Sequence, residues 1–99
     1  MNDNDSTEPG RATIVVVKRG AISSQLLEES VILDVTNGRY YGLDSVGTQI
    51  WNLIQEPRTA IEISTILVDE YEVSPDRCEQ DVLAFLADLA SHDLIEKPN

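Results

Sequence analysis

A chain of 99 residues with 41% hydrophobic content has room for one domain with a modest core. Its 18 Asp and Glu against 7 Lys and Arg give a formal net charge of −11, which opposes nucleic acid as the main partner and suits a neutral or basic peptide. No apolar run approaches the roughly 18 residues of a membrane span, and the polar start MNDNDSTEPGR is no signal peptide, so a cytoplasmic protein without a membrane partner is expected.

Met1 to Arg11 holds almost nothing to bury and reads as a disordered tail, with the folded domain running over 12–97. Ala12 to Lys18, ATIVVVK, is a β-branched run that suits a strand. Gly20 breaks it; Ala21 and Ile22 are able to resume pairing, and Ser23, Ser24 and Gln25 read as a bend before Leu26 and Leu27. A hairpin follows, Ser30 to Val35 and Arg39 to Leu43, turning at Thr36-Asn37-Gly38, where Asn-Gly supplies the positive backbone angles a tight turn needs. In its first strand Val31, Leu33 and Val35 share one face and Ile32 and Asp34 the other. In its second, Arg39, Tyr41 and Leu43 oppose Tyr40 and Gly42, so each face carries a ring and the pattern leaves open which tyrosine is core. Because a hairpin does not stand alone in water, a three-stranded antiparallel sheet is expected, half buried by helices, with the register of its first strand left open. That arrangement leaves the Arg39–Leu43 strand as an edge, to be protected or used to capture another extended chain; capture is the reading favoured here.

The first helix is expected to start after Asp44 or Ser45 and to end before Pro57, with Val46, Ile50, Leu53 and Ile54 in one stripe and Trp51 on its border. Gly47 near that stripe costs helix stability, so its use is close approach to a neighbour. The second helix opens on the capping-box pattern Thr59-Ala60-Ile61-Glu62 and gathers Ile63, Ile66, Leu67 and Tyr71, with Ile61 and Val68 as a second apolar pair. After a turn at Glu72-Val73, Ser74 caps the third helix, Pro75 occupies its first turn, and Val73 is placed to staple onto Cys78. Cys78, Val82, Phe85 and Leu89 then follow one face with Leu86 beside them, to about Ser91; Leu94 and Ile95 fold back onto the core, and Glu96 to Asn99 fray.

Catalytic patterns are missing. There is no Gly-rich phosphate loop, and neither a Ser nor the single Cys78 has a credible His partner, since His92 at a helix end more simply complements the negative dipole. One Cys and one His are too few soft ligands for zinc, and acidic pairs such as Glu28-Glu29 and Asp69-Glu70 read as solvated. No catalytic residue, metal site or cofactor is expected.

Strands followed by three helices follow the order of a winged helix-turn-helix, an α+β class that usually suggests DNA. The third helix, however, sets Arg77 against Asp76, Glu79, Asp81 and Asp88, which disfavours a DNA-binding regulator. From Val31 to Ile95 the strings VILDVTNGRYYGLDSVGTQIWNLI, RTAIEISTILVDEY and DVLAFLADLASHDLI closely resemble the PqqD-like family, and within it the small separate proteins of lasso-peptide biosynthesis. The likeness lies in a Gly-Arg-Tyr-Tyr-Gly-Leu hairpin arm, a Val-Gly followed by Ile-Trp, and Asp-Val-x-x-Phe-Leu-x-x-Leu on the third helix. Asp44 departs from it where the family often has asparagine, and His92-Asp93 where it often has a glycine.

The resemblance implies a recognition element for ribosomally made precursor peptides. Such a domain takes the leader segment as an extra antiparallel strand and presents it to a separate transglutaminase-like leader protease and a lasso cyclase. Carried onto this chain, main-chain contacts fall to Arg39, Tyr40, Tyr41, Gly42 and Leu43, and the groove wall to Asp81, Ala84, Phe85 and Asp88. The alternative within the family is a peptide chaperone for a radical peptide-modifying enzyme.

Overall fold

A computed structural model of the chain describes residues 8–26 and 29–98. Its elements in order are β1 (Val16–Val17), β2 (Ala21–Leu26), β3 (Glu29–Asp34), β4 (Arg39–Leu43), α1 (Ser45–Leu53), α2 (Ala60–Glu70), α3 (Pro75–Ser91) and β5 (Ile95–Glu96). The expected three-stranded antiparallel sheet is present with the order β2-β3-β4, followed by three helices, the winged α+β arrangement.

Its first strand is not the ATIVVVK run. Only Val16–Val17 of that run is strand, and it pairs with β5 outside the main sheet, Val16 opposite Glu96 and Val17 opposite Ile95. The backbone donors decide this: Val15 N–H reaches Arg58 O at 2.8 Å and Val17 N–H reaches Ile54 O at 2.9 Å, so the segment is tied to the α1–α2 connection. Gly20, at φ +97°, turns the chain into β2 instead. The expected bend at Ser23, Ser24 and Gln25 is straight strand, because Ser23 opposite Ile32, Ser24 opposite Val31 and Gln25 opposite Ser30 complete a ladder that outweighs the turn preference of serine. Leu27 and Glu28, and the Met1–Thr7 part of the expected tail, lie outside the described residues. Arg11 is held by Glu79, with Nε 2.9 Å from Oε2.

The first arm of the hairpin is shifted one residue toward the N-terminus of the expected Ser30–Val35, since β3 begins at Glu29, ends at Asp34, and Val35 enters the turn. Asp34 accounts for this: its carboxylate accepts from Asn37 Nδ2 at 2.7 Å and Asn37 N at 3.3 Å, its carbonyl accepts from Gly38 N at 2.7 Å, and Gly38 takes φ +67°. The inner face of β3 is Ser30, Ile32 and Asp34, with Val31 turned outward.

The core gathers Ile32, Ile50, Trp51, Ile54, Ile63, Leu67, Val82, Leu86, Leu89 and Leu94. Two assignments shift. Trp51, drawn on the border of α1, is 1% exposed and central, whereas Val46, drawn in the stripe, is 41% exposed. On α3 the buried line is Cys78, Val82, Leu86 and Leu89, and Phe85 is only partly buried at its margin. Both helices are rotated slightly about their axes relative to a stripe drawn from periodicity, because each packs against two elements at once: α1 meets β3 and β4, and α3 meets α2 and β5. Leu94 and Ile95 fold back as expected, but Glu96 is paired rather than frayed. The caps form as the residues dictate: Asp44 accepts from Gly47 N, Thr59 and Glu62 close a capping box, and Ser74 accepts from Arg77 N. Asp93, in the stretch where the family often has a glycine, takes φ +61° and pairs with Lys18 at 2.6 Å.

Candidate functional site

Among the described residues nothing pairs with the outer side of β4, because the sheet ends there and the N-terminal strand is engaged with β5. The parity of β4 is set by its register with β3: Tyr41 lies opposite Ile32 and Leu43 opposite Ser30, so both face the helices, while Tyr40 turns to the outer face and is 75% exposed. Tyr41 is therefore the structural tyrosine. Its ring lies on that of His92, centroids 4.8 Å apart and tilted by 46°, and His92 Nε2 is 3.6 Å from Asp88 Oδ1. The histidine thus does more than meet a helix dipole; it fills the space between β4 and the C-terminal part of α3.

A cleft of about 440 Å³ lies between the end of β4 and the helices. One wall is the end of β4 and the start of α1, with Gly42, Leu43, Asp44, Val46, Gly47 and Ile50. The other comes from the end of α2 and the first half of α3, including Leu67, Tyr71, Val73, Asp81, Val82 and Phe85. Two hydrogen bonds fasten the elements that carry it. Ser30 Oγ and Thr48 Oγ1 meet at 2.8 Å, fastening α1 to β3, and the Tyr71 hydroxyl donates to Gln49 Oε1 at 2.8 Å, fastening the end of α2 to α1. At Gly47 an added Cβ would stand 3.3 Å from Phe85 Cε1 and Cζ, so α1 and α3 approach here as the glycine implies. A second hollow of about 320 Å³ shares Gly42, Leu43 and Asp44 with the cleft and continues past Glu29, Ser30 and Val31. Beside Gly42 there is open space, with nothing within 4 Å of where a Cβ would stand.

Of the residues singled out from sequence, Gly42, Leu43, Asp81 and Phe85 meet around the cleft. Arg39, Tyr40 and Tyr41 complete the free edge, and Ala84 and Asp88 are exposed on α3 outside the cleft lining. Sequence reasoning missed Val46 and Tyr71 as cleft residues because each falls in an apolar helical stripe, and Val73 because it reads as a turn residue stapled onto Cys78; the costly Gly47 was the available signal. Cys78 also lines the cleft, but burial, helped by the charge of Asp81, pushes its thiol above the ordinary range, which keeps it neutral and poorly nucleophilic near neutral pH. Among the described residues no group of His, Cys, Asp and Glu is arranged to hold a metal, and no helix is long and apolar enough to cross a membrane.

A three-stranded antiparallel sheet whose β4 margin is unpaired among the described residues, lying against a helix-walled apolar cleft, defines a winged-helix domain of the α+β class. The chain belongs to the PqqD family: coenzyme PQQ synthesis protein D (PqqD) matches over residues 29–95. Among solved structures it is similar to TbiB1 in complex with the TbiA(beta) leader peptide, at 33% identity and TM-score 0.78, covering 85% of this chain and 98% of that one. The PqqD truncation of Methylobacterium extorquens PqqCD, a stand-alone RiPP recognition element, matches at 25% identity and TM-score 0.76, covering 92% of this chain and 97% of that one. Lasso peptide synthetase B1 complexed with the leader peptide shares the fold at 21% identity and TM-score 0.75, over 83% of this chain and 96% of the other. No curated protein matches the sequence.

Proposed function

We propose that the domain binds the leader segment of a lasso-type precursor peptide as a fourth strand on β4 and, without catalysis of its own, delivers it to a separate transglutaminase-like leader protease and a cyclase. The observation that carries this is the unpaired β4 margin bordered by the cleft. Backbone pairing with Arg39, Tyr40, Tyr41, Gly42 and Leu43 gives sequence-tolerant affinity, and side chains of the guest that point inward reach the cleft beside Asp81 and Phe85. Ala84 and Asp88 extend the wall along α3. Holding the precursor this way raises its local concentration at the enzymes that act on it. The 33% identity to TbiB1, solved with a leader peptide, supports the reading.

The test is an amide-resolved NMR titration with a synthetic peptide of the leader encoded beside this gene. Signals of Arg39 to Leu43 and of the cleft side of α3 are expected to move together; a titration that leaves them in place overturns the proposal. A second reading, a peptide chaperone for a radical peptide-modifying enzyme, is favoured by the similarity to the PqqD part of PqqCD and uses the same site. Neighbouring genes separate the two, a cyclase and protease for one and a radical enzyme for the other.

A further inference from the structure

The cleft and the neighbouring hollow share Gly42, Leu43 and Asp44 and are taken together as a trough, and their charges are of one sign. Glu29, Asp44 and Asp81 line the trough, and among the described residues no Lys, Arg or His does. Arg11 pairs with Glu79, Lys18 with Asp93 and Arg58 with Glu56, none of them lining the trough, and Arg77 pairs with Asp81 itself at 3.5 Å, largely exposed on both sides. Arg39, at the start of β4, lies opposite Asp34 and does not line the trough either. Asp44 is fixed in place by its cap, Oδ1 accepting from Gly47 N at 2.8 Å. It stands at the β4–α1 junction, whereas Asp81 stands on α3. Between them the wall is apolar, with Val46, Val82 and Phe85.

We propose that this trough selects a leader in which a Lys or Arg flanks the apolar side chain that enters the cleft, and that Asp44 and Asp81 are the residues that select the cation. The inference rests on the strand-addition reading above and adds the chemistry of the guest. A long basic side chain suits such a place: its methylene stem lies on the apolar wall while its charged end meets carboxylates at the rim. A guest covering the trough also thins the water around those carboxylates, which strengthens their pull on a cation and makes an acidic guest costly. General solubility explains a chain-wide charge of −11, but it places no requirement on cations being absent from one apolar trough.

Two substitutions test the charge while keeping the structure. Asp44→Asn removes a charge but retains a capping side chain of similar quality, and Asp81→Asn loses only an exposed contact with Arg77. A phage-displayed library of randomised short peptides, selected on the whole chain, is expected to return sequences with Lys or Arg next to an apolar residue. For a selected peptide, the double variant is expected to weaken binding about fivefold, the size of two partly screened charge pairs. The same peptide with Gln in place of its cation is expected to bind both proteins alike, and added salt to narrow the difference between them. If peptides bind and shift the β4 amides but carry no basic preference, or if the double variant binds them equally well, the inference falls and strand addition stands. If no peptide shifts the β4 amides, both fall.

Discussion

Asp34 is where one side chain decides a piece of geometry on which the candidate site depends. Its carboxyl is held below the usual carboxylate range, first by the Asn37 side-chain donor, then by the backbone N–H groups of Asn37 and Thr36 and the charge of Arg39, with burial opposing them. A lowered folded value means that the contribution to stability is fully present above the unfolded-state value and is lost as pH falls through the lowered one. Glu79, lowered by its bond to Arg11, acts in the same direction. Urea midpoints followed from neutral pH into acid are therefore expected to fall for the wild type and to fall less steeply for Asp34→Asn; matching slopes would show that the carboxylate does not govern the turn. The Asn-Gly pair was readable in the sequence as a turn. The residue that closes it was not, because Asp34 looked like one more alternating position until the fold placed its oxygens over Asn37.

At the scale of elements, the meeting of α1 and α3 at Gly47 and Phe85 sets the depth of the cleft. Gly47→Ala gains about 1 kcal/mol of helix propensity, but the new methyl stands 3.2 Å from Asp44 Oδ1 and 3.3 Å from the Phe85 ring. That ring is only partly buried and borders open space, so it gives way into the cleft. The expected outcome is an unfolding midpoint unchanged or slightly raised together with weaker leader binding by calorimetry; unchanged affinity would remove the cleft from the binding site. Helix starts were legible because capping is local chemistry: Asp44, Thr59 and Ser74 each do what their side chains allow. Which face each helix buries was legible only to within part of a turn, as Trp51 and Phe85 show, since the neighbours that fix the rotation are remote in sequence. Strand pairing was least legible. ATIVVVK has strong strand character, yet its partners are Arg58, Ile54 and β5, and no local pattern in the run encodes them.

For the molecule as a whole, the helices and the inner face of the sheet share one core, and Leu86 lies at 0% exposure within it. Leu86→Ala is expected to cost about 2–5 kcal/mol, a large share of the roughly 5–15 kcal/mol that a small domain commands. Urea denaturation measures it, and a loss below about 1 kcal/mol would contradict the packing described here. The winged architecture was readable from the order of elements, and the acidic third helix already argued against DNA; the trough was not, because it is assembled from β4 and three helices whose convergence only the folded chain reveals. The bare margin of β4 carries a further cost. Two empty molecules would present each other with matching rows of hydrogen-bonding groups, and the charge of −11 on each opposes their pairing edge to edge. The acidity is thus a colloidal safeguard for an adhesive seam, and it weakens as acid titrates those carboxylates.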